Sequence, residues 1–138
     1  MKREINRKNM RAFAREIFHT RNGWDYYRIL CTGDLCENVR VEDEKTASPL
    51  HCVLGEMYTY FTGERVWSTF TSKFLDGGQA TYLTSDLDTD DVVDYFIGAC
   101  PALEGIGRLA SINDLEPDDY KRAKKCAEMI NEFADRLP

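Results

Sequence analysis

Apolar residues recur at every third or fourth position along much of the chain, which is the period of a helix with one buried face. The first stretch of this kind contains Met10, Phe13, Ala14, Ile17 and Phe18. This pattern predicts a first helix over residues 3–19. The pair Asn22-Gly23 follows, and we expect it to end the helix because Asn-Gly is a strong turn former.

Residues 24–32 and 38–42 are rich in aromatic and β-branched side chains, which are typical of strands. The Gly33-Asp34 pair between them would suit the turn of a hairpin, although helix is a second interpretation for part of this stretch. The charged run at residues 42–45 is interpreted as a solvated loop.

A second helix is predicted to start after Ser48, a good N-cap, with Pro49 at the first helical position, where its missing N–H costs nothing. Its apolar face contains Leu50, Val53, Leu54, Met57, Tyr58 and Phe61. Gly63 is predicted to end this helix. On a helical wheel Cys52 lies nearly opposite the apolar face, which predicts a semi-exposed thiol.

Residues 64–75 fit two patterns. The spacing of Trp67, Phe70 and Phe74 matches a helix that would end at Gly77-Gly78. The Thr and Ser content instead favours a strand, for which residues 79–84 would be a natural partner. We favour the helix.

The last third of the chain shows two further helical patterns. One helix is predicted to start at Asp88 or Thr89 and to end at Pro101, with acidic residues in its first turn, where the helix dipole favours them. Residues 102–110 suggest a short helical turn. The last helix is predicted from Pro117 to about Arg136.

These elements predict a mainly α fold, with about five amphipathic helices and a short β-hairpin in one compact globular domain over residues 1–138. The alternative is an α+β fold with a small antiparallel sheet from the middle third. A chain of 138 residues buries roughly two-thirds of its unfolded surface, which is enough for a core without metals or disulfides.

The five cysteines are an odd set scattered along the chain, which favours free thiols in a reducing compartment. No apolar run approaches the roughly 20 residues needed to cross a bilayer. The first residues lack the apolar core of a secretory signal. We therefore expect a soluble cytoplasmic protein that does not contact a membrane, with its oligomeric state left open.

Charge is divided unevenly along the chain. The net charge is −6, yet residues 1–28 hold eight Lys and Arg against three acids, so this segment carries +5 and the remainder −11. Four arginines spaced four apart would form a basic ridge on the first helix. They are Arg3, Arg7, Arg11 and Arg15.

This ridge has two interpretations. It could bind an acidic protein groove or nucleic-acid phosphates, or its arginines could pair with the acidic body of the same chain. An isoelectric point near 4.9 argues against a nucleic-acid binder, which is expected to be basic.

Alternating acids at Asp86, Asp88 and Asp90 resemble the start of a calcium loop. The Gly at the sixth position and the Glu at the twelfth are absent, since Asp91 and Ile97 stand there, so a calcium site is excluded. We interpret the run as helix capping on a solvated surface. A docking surface for a basic partner, centred on Asp88 and Asp91, is the alternative.

No catalytic set, metal site or cofactor motif is recognisable in the sequence. His51 and Cys52 are adjacent, but neighbouring residues on a helix point in different directions and pair poorly. An enzyme of unrecognised type, using Cys52 or carboxylates, stays open as an alternative.

Trp24 with Tyr26 or Tyr27, just after the Asn22-Gly23 turn, is the first choice for an exposed aromatic anchor. The divided charge, the surplus of aromatic residues and the missing catalytic set favour a small acidic protein-binding module, such as an inhibitor, adaptor or immunity-type protein. Another protein is the expected partner. A nucleic-acid-associated protein that uses the basic first helix is the alternative.

Overall fold

The computed structural model describes residues 2–32, 39–41, 44–46, 52–64, 68–75, 78–85 and 87–138. Within them the fold is mainly α, with five α-helices, a two-stranded hairpin and a second small sheet. In chain order the elements are α1 (Arg7–Ile17), β1 (Phe18–Arg21), β2 (Trp24–Tyr27), β3 (Val39–Val41), β4 (Glu44–Thr46), α2 (Val53–Thr62), β5 (Ser68–Leu75), β6 (Gly78–Ser85), α3 (Thr89–Ala99), a 3-10 helix (Pro101–Leu103), α4 (Arg108–Leu115) and α5 (Asp119–Ala134).

Helix α1 begins later than its periodicity predicts. The Asn6 side chain accepts a hydrogen bond from the Asn9 backbone N–H at 2.8 Å, which makes Asn6 the N-cap and starts the helix at Arg7. The predicted start at residue 3 is therefore wrong, and Arg3 lies outside the helix. The predicted apolar face is confirmed, since Met10, Phe13, Ala14 and Ile17 are all buried.

Asn22-Gly23 is the turn of a hairpin. Both residues have positive φ, 54° and 80°, as a type I′ turn requires, and β1 pairs antiparallel with β2 across them. The predicted hairpin between residues 24–32 and 38–42 is wrong, because β2 pairs with β1 instead. The Gly33-Asp34 pair lies outside the described residues.

The second sheet has the strand order β4-β3-β5-β6. Strands β5 and β6 pair antiparallel over their full length, from Ser68 opposite Ser85 to Leu75 opposite Gly78. The favoured helix over residues 64–75 is therefore wrong, and the alternative strand pair from the middle third is confirmed. Strand pairing satisfies the backbone of this Thr- and Ser-rich segment better than an isolated helix would.

The remaining strands of this sheet also change the interpretation of the charged run at residues 42–45. Strand β3 pairs antiparallel with β4 and parallel with β5. Glu44 and Lys45 belong to β4 rather than to a loop, while residues 42 and 43 lie outside the described part of the chain.

Helix α2 has Cys52 as its N-cap and ends, as predicted, at Gly63 in the left-handed conformation (φ 77°). Cys52 is only 6% exposed, so the semi-exposed thiol expected from the helical wheel is wrong. Its Sγ accepts from the Gly55 N–H at the cap, and Cys52 precedes the first turn instead of lying on the polar side of the helix. The predicted cap residues Ser48 and Pro49 lie outside the described residues.

The two later helices begin near the predicted positions. Asp88 caps α3, and Asp118 caps α5 by accepting from the Lys121 N–H at 2.8 Å. Between them, α4 runs to Leu115 and is longer than the short turn expected at residues 102–110. No helix in the described parts of the chain is long and apolar enough to cross a membrane.

The core lies between the helices, and α1 packs along α5. Its largest fully buried side chains are Met10, Phe13, Ile17, Leu30, Leu54, Met57, Phe61, Phe96, Leu103, Ile106, Leu109 and Phe133.

A buried polar pair fixes the segment that follows the hairpin. The Arg122 side chain donates to the Leu30 carbonyl at 2.9 Å, and the Asn113 amide donates to the Cys31 carbonyl at 2.8 Å. Asn113 Oδ1 also accepts from the Val53 N–H at 3.1 Å, which ties α4 to the start of α2. Because buried polar groups need partners, these bonds hold residues 30–31 against the helices.

Candidate functional site: the β1–β2 hairpin

The β1–β2 hairpin has two faces of different chemistry. Side chains alternate along a strand, so the pairing of Arg21 with Trp24 and of His19 with Tyr26 defines one face. We call this the outer face, and it consists of His19, Arg21, Trp24 and Tyr26. The opposite side is the inner face, which consists of Phe18, Thr20, Asp25 and Tyr27.

The inner face is held against α5 by Tyr120. The Tyr120 ring meets the rings of Phe18 and Tyr27 edge-on, each at 5.5 Å between centroids. Its hydroxyl donates to Asp25 Oδ2 at 2.7 Å, and Thr20 donates to Asp25 Oδ1 at 2.6 Å. This face is therefore used within the protein.

These hydrogen bonds shift two pKa values in opposite directions. Donation from Thr20, and then from Tyr120, favours the charged carboxylate and lowers the pKa of Asp25. Because it donates to a carboxylate, Tyr120 keeps its proton more strongly, and its pKa is raised. At neutral pH the pair therefore consists of an ionised Asp25 and a neutral Tyr120.

The outer face presents large side chains to solvent. Trp24 is 72% exposed, and Tyr26 is half exposed. The Tyr26 ring stacks on the His19 imidazole with 5.1 Å between centroids and 13° between planes, while His19 Nδ1 lies 2.8 Å from the Arg15 carbonyl. The Tyr26 ring thus packs on a His19 ring that itself contacts the end of α1.

Three of the four arginines predicted as a ridge are bound within the protein. The Arg3 guanidinium donates to the Tyr60 carbonyl and lies 4.1 Å from the centre of its ring. Arg7 donates to the Leu137 carbonyl at 2.9 Å, and Arg11 pairs with Asp135 at 2.7 Å. The unbroken ridge is therefore wrong, because Arg3 precedes the helix and turns towards α2.

Arg15, the fourth member, differs from these three. It lies in the last turn of α1 and borders the hairpin, where it lines an open concavity together with Glu16, His19, Thr20 and Arg21. Within the described part of the chain, neither the Arg15 nor the Arg21 side chain makes a hydrogen bond, an ion pair or a cation–π contact. The structure thus places two uncommitted guanidinium groups beside the exposed aromatic residues.

The predicted acidic residues lie on a different element. Asp88 Oδ1 accepts from the Asp91 N–H at 2.8 Å, and Asp91 Oδ2 accepts from the Asp88 N–H at 3.0 Å. This is a capping box at the start of α3, a helix that packs against α2. Both side chains are exposed, but their carboxylates accept hydrogen bonds from backbone N–H groups at the start of α3.

His19 and Arg21 were missed as site residues in the sequence. The signal that could have identified them is the Asn-Gly pair, which marks a two-residue hairpin turn and fixes which residues face each other. When Asn22-Gly23 is interpreted only as the end of a helix, the pairing of residues 18–21 with residues 24–27 is not predicted. Trp24 and Tyr26, which the sequence did single out, lie on this outer face.

One buried cysteine and the arrangement of metal-ligating residue types bear on thiol and metal chemistry. Burial raises the pKa of the Cys126 thiol to about 12, so it stays protonated at neutral pH. No group of three or more His, Cys, Asp and Glu side chains in the described ranges is placed to hold a metal ion. His51 lies outside those ranges.

The outer face, with Arg15 beside it, offers aromatic rings for apolar contact and guanidinium groups for carboxylate or phosphate groups. Both kinds of group are common at binding surfaces. In comparisons with known proteins, the chain matches no protein family, no curated protein and no solved structure.

Proposed function

We propose that this protein is a small protein-binding module that docks on another protein through Arg15 and the outer face of the hairpin, together called the docking surface. The supporting observation is Trp24, which is 72% exposed on a hairpin whose other face is anchored to Tyr120. Exposed Trp, Tyr and Arg are the residue types that dominate interface energetics. An inhibitor, an adaptor and an immunity-type protein all belong to this class.

The contacts of the inner face with Tyr120 also order the hairpin that carries the docking surface. A surface that is already ordered loses little conformational entropy on binding, so more of the contact energy appears as affinity. The type I′ turn, the stack of Tyr26 on His19 and the Tyr120 contacts all restrict the hairpin before any partner arrives. The backbone that carries Trp24 therefore belongs to a paired strand rather than to a loose loop.

Nucleic acid is the less favoured partner. Of the arginines proposed for that role, Arg3, Arg7 and Arg11 are bound to groups of the protein itself. The net charge of −6 also opposes a long polyanion. These two features support a protein as the partner.

The experiment is an affinity capture of the tagged protein from its native lysate, with and without nuclease, analysed by mass spectrometry. Wild type is compared with the double variant Trp24→Ala/Tyr26→Ala. Leu115→Ala is the matched control, since Leu115 is 81% exposed at the end of α4 and lies outside the docking surface. Circular dichroism verifies that each variant is folded.

We expect a stoichiometric protein partner with wild type and with Leu115→Ala, resistant to nuclease. The double variant should lose it, because truncation of a hot-spot aromatic residue costs about 2 kcal/mol or more. Retention by the double variant, or recovery that depends on nucleic acid, contradicts the proposal.

A further inference from the structure

We infer that the docking surface binds a short acidic segment of the partner, with two carboxylates that meet Arg15 and Arg21 and an apolar side chain that covers Trp24. This inference rests on the proposed function and specifies the chemistry of the partner.

The charge of Arg15 and Arg21 is not neutralised by the acids nearest to them in sequence. Glu16 lines the same concavity as these two arginines, but its carboxylate lies 3.7 Å from the Arg28 guanidinium. Asp25 is on the inner face, where Thr20 and Tyr120 donate to it. The docking surface therefore carries a local positive charge on a protein whose net charge is negative.

Other arginines with described side chains are committed within the fold. Arg28 pairs with Glu56, Arg122 is buried among backbone carbonyls, and Arg136 donates to the Glu104 carbonyl at 3.0 Å. Arg108 lies over the Phe133 ring. Since the fold engages these guanidiniums and leaves Arg15 and Arg21 open on one surface, charge complementarity there points to an acidic ligand.

The two arginines border the aromatic residues at opposite ends. Arg21 faces Trp24 beside the turn, and Arg15 lies one helical turn before His19, which faces Tyr26. One helical turn and two strand residues together span at most about 13 Å. An extended segment covers this distance when its carboxylates stand about four residues apart.

The small size of the basic surface distinguishes this ligand from nucleic acid. Nucleic-acid binders neutralise many phosphates, often about 6–10, whereas two guanidiniums are available here. Beyond roughly 8–10 Å, salt screens the remaining charges, so a short segment avoids most of the repulsion from the acidic body. A segment with two carboxylates matches the local charge.

The probe is a fluorescent extended peptide with Asp at positions i and i+4 and Leu and Phe between them, measured by fluorescence anisotropy. The same peptide with both Asp changed to Asn, the same peptide with both changed to Lys, and a single-stranded oligothymidine are the comparison ligands. The test variant is Arg15→Glu/Arg21→Glu. Lys2→Glu/Lys125→Glu is the matched control, because it changes net charge equally at two exposed lysines that share no concavity with Arg15 or Arg21.

We expect the Asp peptide to bind wild type and the lysine control, more weakly as salt increases. Loss of each charge-assisted contact should weaken binding about tenfold. The arginine variant should therefore lose the Asp peptide and gain binding to the Lys peptide. A change of preference from the Asp peptide to the Lys peptide would show that residues 15 and 21 contact the peptide directly. Net charge alone would not explain it, because the lysine control has the same net charge.

Equal affinity for the Asp and Asn peptides, equal loss in the lysine control, tighter binding of oligothymidine, or no binding of any peptide overturns the inference. These outcomes are separable from failure of the proposed function. If a partner is captured through Trp24 but the Asp peptide does not bind, the acidic ligand alone is wrong. If Trp24→Ala/Tyr26→Ala still captures the partner, the docking surface itself is wrong.

Discussion

The Tyr120 hydroxyl donates a 2.7 Å hydrogen bond to the Asp25 carboxylate across 95 positions of sequence, which joins helix α5 to the hairpin. The same ring packs edge-on against Phe18 and Tyr27. One residue of α5 therefore holds the inner face of the hairpin through both its ring and its hydroxyl.

Replacement of Tyr120 by Phe tests this role. The variant keeps the ring contacts but removes the hydrogen bond to Asp25, so we expect severalfold faster amide hydrogen exchange in β1 and β2 and unchanged exchange in α3. Tyr26→Phe is the control, because Tyr26 lies on the outer face and no hydrogen bond of its hydroxyl occurs within the described residues. Equal acceleration in both variants would contradict the prediction.

The attachment of the hairpin should depend on pH at both extremes. The pKa of Asp25 is lowered in the folded state, so its stabilisation is complete above the unfolded value of about 3.9 and is lost as pH falls through the folded value. The pKa of Tyr120 is raised, so its stabilisation is complete below about 10 and is lost as pH rises through its folded value.

Trp24 fluorescence and the NMR signals of the hairpin, followed across pH, measure this dependence. Asp25→Asn should abolish the acid transition of the hairpin, because the amide does not titrate. An acid transition of the same size in that variant would show that another group controls it.

Asn113 should matter for stability far more than an exposed asparagine. It is fully buried and bonds both the Cys31 carbonyl and the Val53 N–H, so Asn113→Ala removes two hydrogen bonds, one of them to the buried Val53 N–H. We expect a loss of about 2–4 kcal/mol in the free energy of unfolding, measured by urea denaturation. Asn131→Ala, on the exposed side of α5, should stay within about 0.5 kcal/mol of wild type.

Two glycines should respond to alanine with opposite signs. Gly23 has φ 80° in the hairpin turn, where a side chain strains the backbone, so Gly23→Ala should destabilise the protein by about 1 kcal/mol. Gly98 lies inside α3 with open space around it, so Gly98→Ala should stabilise by about 0.5–1 kcal/mol. Thermal denaturation measures the change in stability of both variants. A Tm that shifts in the same direction in both would contradict the prediction.

Local signals in the sequence determined most of the helical positions. The apolar period of α1, the Asp88 cap of α3 and the left-handed Gly63 after α2 all act within a few residues. Such signals are readable without the fold, because helix hydrogen bonds and caps join near neighbours. The exposed aromatic residues Trp24 and Tyr26 were also found this way, from their place after a turn.

Tertiary structure decided the elements whose partners are distant in sequence. Residues 68–75 carry both a helical and a strand pattern, and pairing with residues 78–85 selects the strand. The contacts of the hairpin's inner face depend on Tyr120, which lies in helix α5. A local pattern does not contain these contacts. The sequence alone therefore determined most of the helices and the exposure of Trp24 and Tyr26, while long-range packing decided the sheet, the hairpin register and the placement of Arg21 beside Trp24.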